Sequence, residues 1–213
     1  MNTFQKHFPK LESLLAGYSA VRRASVQPYH HAEYIKRHPD YQYDPADLII
    51  RESLLEHVGM LPVIAIYFHP YLETDVDLGK VLQLLAVHDI GEVTTGDIPV
   101  FKKQGDEDEQ ERLAALALLH PNYHQLYHEY TELKTNEAKF AKSIDKLAPD
   151  LYDVLTDPEI NSVRLARFTD NQPHEIPNLI RKHKSPYMEW NPFLKEFHNG
   201  LIERLGEIYG DKN

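Results

Sequence analysis

Residues 81–99 read Val-Leu-Gln-Leu-Leu-Ala-Val-His-Asp-Ile-Gly-Glu-Val-Thr-Thr-Gly-Asp-Ile-Pro. The apolar run Val81–Val87 has the spacing of a buried helix and delivers its chain directly into His88 and Asp89. Glu92 follows one turn later, and Thr95-Gly96-Asp97 reads as a turn beyond it. Groups that bind a metal or move a proton are therefore crowded together where a buried segment ends. Such groups are costly there unless they are used or satisfied.

Working outward, the periodicity stays helical and no stretch alternates convincingly like a strand. Leu11, Leu14 and Leu15 mark a first short helix, and residues 25–47 read as an irregular connection. Asp47 is a candidate cap for a helix carrying Leu54, Leu55, Val58 and Leu61, with Pro62 inside it. The dyad helix starts at Asp75 and ends near Gly91. Further helices are expected at 108–119, 123–133, 135–148, 158–169, 174–184 and 189–209. The expectation is an all-α fold with a single domain over 1–213, its helices at 156–213 packing on the rest. Trp190, Phe193, Leu194, Phe197 and Leu201 stand at helical spacing, open between an interface and the same core.

Composition narrows the function classes. The 42% hydrophobic content suffices for a core, and no apolar run approaches the roughly 20 residues needed to span a bilayer. There is no signal-peptide pattern and no cysteine, so disulfides, thiolate metal sites and a cysteine nucleophile are excluded, and a cytoplasmic setting is expected. A formal net charge of −10 argues against duplex nucleic acid as partner. It does not exclude a small phosphorylated substrate, because a metal can supply local positive charge.

A divalent cation needs more ligands than one dyad. With thirteen histidines in the chain, a His-Asp pair alone is weak evidence. Two further residues strengthen it. His57 lies on the preceding helix, and Asp145 lies beside Ile144 and Leu147 on the apolar side of a later one. Each has a plainer reading: His57 as a core histidine donating to a carbonyl, Asp145 as a salt bridge to Lys142, Lys146 or an arginine. Helices each donating one inward polar group are the usual way to build a metal site in a helical protein. Two imidazoles and two carboxylates suit Mn, Fe, Co, Ni, Zn or, less well, Mg.

The ordered pattern His57, His88-Asp89, Asp145 resembles the signature of the HD-domain metal-dependent phosphohydrolases over about residues 48–155. The flanking words Glu56-His57, His88-Asp89-Ile90-Gly91-Glu92, Thr95-Gly96-Asp97-Ile98-Pro99 and Glu137-Ala138-Lys139-Phe140 resemble most the nucleoside 5′-monophosphate phosphatase branch. The resemblance implies an all-helical fold and one divalent metal ion held by His57, His88, Asp89 and Asp145. It implies proton transfer by Glu92, a substrate or water contact by Asp97, and a pocket wall of Ile98, Pro99 and Val100. It implies a phosphate monoester substrate, a nucleotide or related metabolite, and allows a homodimer. That branch carries an arginine-and-tryptophan element before the first histidine, whereas the one tryptophan here is Trp190. Arg22, Arg23 and Arg51 are candidates for the phosphate clamp, with Arg51 equally able to pair with Glu52 or Glu56. The same metal chemistry would serve a phosphodiesterase or a pyrophosphate- or triphosphate-releasing hydrolase. A non-catalytic, metal-stabilised binding domain is the third reading. Glu92 and Asp97 argue against it, since a structural site does not require them.

Overall fold

The computed structural model describes residues 3–26, 51–98, 105–168 and 173–210. The elements run α1 (Thr3–Ala20), β1 (Arg22–Val26), β2 (Arg51–Ser53), α2 (Leu54–Phe68), α3 (Leu78–Val87), the short α4 (Glu92–Thr95), α5 (Glu107–Leu118), α6 (His124–Glu132), α7 (Asn136–Leu155), α8 (Pro158–Phe168), α9 (Ile176–His183) and α10 (Pro192–Tyr209). Among the described residues the fold is all-α apart from one pair of short strands. Among the described residues no helix is long and apolar enough to cross a membrane.

Helix α7 is the axis of the bundle. Thr135 caps it, its hydroxyl oxygen accepting from the Ala138 N–H at 3.1 Å. Phe140, Ala141, Ile144 and Leu147 then meet Leu61 and Phe68 of α2, Val81, Leu84 and Leu85 of α3, and Leu194 and Leu201 of α10 in one core. The residues read as core or interface lie on this core. Leu194 is fully buried, and Trp190, Phe193 and Phe197 pack partly buried on that same core. A smaller cluster of Tyr18, Leu54, Ile90, Ala115 and Tyr127 lies under the His-Asp turn. Another, Leu165, Ile176, Ile180, Ile202, Leu205 and Tyr209, joins the last three helices.

Several expectations shift. β1 pairs with β2 antiparallel, Arg22 opposite Ser53 and Val26 opposite Arg51, with an irregular register between. Arg-Arg-Ala-Ser-Val is too short and too polar to show alternation, and its partner is distant in sequence. Helix α1 is 18 residues long, more than the short helix expected, and contains Pro9. Ser53 caps α2 in a reciprocal capping box with Glu56; Asp47 lies outside the described residues. Asp77, not Asp75, caps α3, because its backbone is extended and its carboxylate accepts from the Lys80 N–H at 3.2 Å. Helix α7 runs on through Pro149 to Leu155. Pro149 has no N–H, so it cannot close the helical bond to the Asp145 carbonyl.

Helix α3 stops at Val87, so His88-Asp89-Ile90-Gly91 form a tight turn with Glu92 N–H bonded to the Asp89 carbonyl at 3.0 Å. Helix α5 crosses hard against this turn. A Cβ on Gly91 would stand 2.3 Å from the Glu111 carbonyl oxygen, so only glycine fits. Gly96 ends α4 at φ 78°, a conformation side chains rarely adopt.

Candidate metal centre

The capping box fixes where α2 starts and therefore where His57 points. His57 falls in the first turn of α2 and is completely buried. His88 is the C-cap of α3, and its Nδ1–H donates to the Leu85 carbonyl at 2.8 Å, which leaves Nε2 facing inward. Asp89 follows it in the turn, and Asp145 reaches in from the middle of α7. One ligand-type atom from each of the four lies within 4.8 Å of all the others, and all four residues are buried. His57 Nε2 stands 3.5 Å from Asp89 Oδ2 and 3.4 Å from Asp145 Oδ1. His88 Nε2 stands 3.0 and 3.7 Å from the same two oxygens. Yet neither Nε2 makes a properly directed hydrogen bond. Buried imidazole nitrogens left open toward two carboxylates fit a divalent cation between them.

The salt-bridge reading of Asp145 is seen on one oxygen, and the other faces the histidines. Its Oδ2 accepts from the Tyr130 hydroxyl at 3.0 Å and stands 3.0 Å from Lys146 Nζ and 3.5 Å from Lys142 Nζ. Its Oδ1 is the atom turned to the histidines. The plain alternative for His57, a bond to a carbonyl, is what His88 makes instead.

Glu92 and Asp97 border the cluster on one side. Arg23, reaching in from β1, places Nη1 2.9 Å from Asp89 Oδ2, 3.2 Å from Glu92 Oε2 and 3.8 Å from Asp97 Oδ1. Of the three candidate arginines it is the one that enters the cluster. Arg51 donates from Nε to the Arg23 carbonyl at 2.7 Å and from Nη2 to the Arg22 carbonyl at 2.6 Å, bracing the strand that carries Arg23. Arg22 lies half-exposed, 3.8 Å from Glu56 Oε2. Ile98 is half-buried beside Asp97; Pro99 and Val100 lie outside the described residues.

Five groups were not singled out in the sequence. Lys142 and Lys146 entered only as salt-bridge partners of Asp145. Tyr130 lies in an aromatic-rich helix with nothing to mark it. Glu52 is completely buried next to His57, but beside Ser53 and Glu56 it reads as part of a helix start. Glu111 also comes close enough to Asp89 and Glu92 to form a second acidic group.

The charges answer to these neighbours. Burial, then the Arg23 cation, press His57 down to about 4 against the pull of Asp145 and Asp89. Burial also acts to lower His88, but Asp89 and Asp145 outweigh it and carry it up to about 10. Burial raises Glu92 well above the usual carboxylate range, and Asp89, Asp97 and Glu111 add to this while Arg23 opposes it. Asp145 is desolvated too, yet Lys146 and Lys142 hold it well below that range.

Set against known proteins, the HD-domain family matches residues 44–181, more than half of the chain. Among solved structures, the chain is similar to a predicted metal-dependent phosphohydrolase from Magnetospirillum magnetotacticum MS-1. That match has 21% identity and TM-score 0.69, over 97% of this chain and 96% of the other. A conserved hypothetical protein from Pyrococcus furiosus and a protein from Pyrococcus horikoshii OT3 each align at 20% identity and TM-score 0.57. Each alignment covers 92% of this chain and 99% of the other. No protein of curated function matches in sequence. Family pattern, fold and the converging His, His-Asp and Asp agree: the chain belongs to the HD-domain family.

Proposed function

We propose that this chain is a metal-dependent phosphohydrolase whose ion is held by His57, His88, Asp89 and Asp145. One observation carries the reading. Two buried histidines and two aspartates converge with their nitrogens open, and a guanidinium and a further carboxyl stand at the rim. A bound divalent ion would polarise a phosphate oxygen and acidify water near neutral pH. The protein's own groups do the rest. Arg23 exchanges its carboxylate contacts for phosphate oxygens, as a planar guanidinium is suited to do. Glu92, between Arg23 and Asp89, takes the proton from the attacking water or returns it to the leaving alkoxide. Asp97, 3.8 Å from Arg23 Nη1, and Ile98 border the leaving group.

The substrate we propose is a nucleoside 5′-monophosphate or a related small phosphate monoester, met in the cytoplasm by a homodimer of this chain. We read residues 1–213 as one domain, consistent with the core that joins α2, α3 and α7 to α10. A screen crossing Mn, Co, Ni, Mg and Zn with nucleoside monophosphates, cyclic nucleotides and nucleoside triphosphates tests this. Orthophosphate released from monophosphates is the expected product. Pyrophosphate or tripolyphosphate would assign the site to nucleotide polyphosphates, and no turnover on any phosphoester would sink the enzymatic reading. Light scattering reads the oligomeric state. Glu92→Gln is expected to keep the metal and lose about 10²- to 10⁴-fold in turnover.

A further inference from the structure

A fully buried carboxylate with no partner in hydrogen-bond range is expensive to keep. Glu52 is one. It has no exposed surface. Its Oε2 lies 3.7 Å from His57 Nδ1 and 3.8 Å from Arg23 Nε. Those two nitrogens are themselves buried and make no hydrogen bond. One carboxylate thus stands between the two donors that have nothing else to bind, one on each arm of the site.

The two histidines make the point sharper. His88 has the Leu85 carbonyl to receive its Nδ1–H, so Nε2 is the nitrogen turned inward. His57 has no carbonyl in that role. The nearest acceptor to its Nδ1 with an ion-pair contact is Glu52. Ligating histidines almost always donate their second N–H to a carboxylate or carbonyl, which sets the tautomer and the ring orientation. Closing either gap to hydrogen-bond length takes less than about an ångström.

We propose that Glu52 is a positioning residue for both arms. It receives the His57 Nδ1–H, so that Nε2 is presented to the ion, and it anchors Arg23 through Nε, so that Nη1 is presented to the phosphate. Metal loading and anion binding are then mechanically joined through one side chain on β2. This rests on the metal-centre reading above, and the test separates the two.

Wild-type protein is first titrated calorimetrically with Co²⁺ alone. No binding by wild type would fail the metal-centre reading itself. With binding established, Glu52→Gln keeps the shape and removes the acceptor charge. The expected result is Co²⁺ affinity reduced about 10- to 100-fold, with the melting temperature of the metal-free protein unchanged or raised. A merely structural Glu52 would lower that melting temperature and leave affinity within twofold, which overturns the proposal. A second measurement does not depend on the variant folding. Long-range ¹H–¹⁵N correlation spectra of Zn²⁺-loaded wild type are expected to show His57 protonated at Nδ1. An unprotonated Nδ1 there also overturns it.

Discussion

Two buried polar clusters in this molecule look alike by composition and differ in how they are closed. In the C-terminal one, Arg164 donates to Asp153 Oδ1 at 2.7 Å and to Asn161 Oδ1 at 2.7 Å. Asn161 donates to the Tyr209 hydroxyl at 2.6 Å, and that hydroxyl donates to the Asp153 carbonyl at 3.2 Å. None of these four side chains has a buried polar atom left open. In the N-terminal one, His57, His88, Glu52 and Arg23 all do. A satisfied network ties helices together and specifies one packing. An open one is poised for something from outside, and its cost falls on the stability of the empty protein.

That contrast can be broken at either end. The largest effect is expected at the open cluster. Asp89→Ala removes an oxygen close to both histidines, and should cost at least about a thousandfold in phosphoester turnover, on the order of 4 kcal/mol of barrier, together with metal retention. Metal content by mass spectrometry alongside kinetics checks this, and a variant keeping both would remove Asp89 from the centre. At the closed cluster, Arg164→Ala strands Asp153, and urea unfolding should show a loss of about 3–5 kcal/mol. The folded fraction should bind metal as before. A loss well under 1 kcal/mol would mean the network is not the tie described.

Filling the open cluster should stabilise it. Divalent ion at a hundredfold excess over its dissociation constant adds about 2.7 kcal/mol and raises the melting temperature. Chelator should reverse the shift, and Asp145→Ala should show none. The smallest effect separates both clusters from an intermediate case. His198 is buried on α10, its Nε2 3.0 Å from the Ser185 hydroxyl and its Nδ1 open. Burial, with Lys184 and Arg181 nearby, lowers it to about 4 from the ordinary 6.5. The unfolded chain therefore binds this proton more readily, so stability is lost as pH falls from about 6.5 toward 4. In chelator, His198→Gln should flatten that limb of the profile. An unchanged slope would mean His198 is not held neutral.

How much of this could be read from the residues depends on sequence locality. The apolar run before His88-Asp89 and the apolar neighbours of Asp145 marked those three, His57 was added by the ordered family pattern, and the fold brings all four together. Helix α7 was read to residue 148, yet it runs through Pro149 to Leu155, with Leu147, Ala148, Asp150, Tyr152 and Asp153 buried around the proline. Arg23 could not be separated from Arg22 and Arg51, since what selects it is β1 pairing with a strand far along the chain. Glu52 was hidden for a different reason. Beside a serine cap and another glutamate, a carboxylate looks like ordinary dipole complement to a helix start. Only burial reveals that it faces inward.

The strand pair has one more consequence, in the language of polymers. Arg23 leaves the site on β1 and the chain returns on β2 just ahead of His57, with the Leu54 N–H bonded to the Val21 carbonyl at 3.1 Å. The ends of whatever connects the strands are pinned by the sheet, not by the connection. For a flexible chain between fixed ends, doubling its length costs only about 0.6 kcal/mol. Descent with modification can therefore rewrite this connection at small thermodynamic penalty while the ion and the arginine stay where they are.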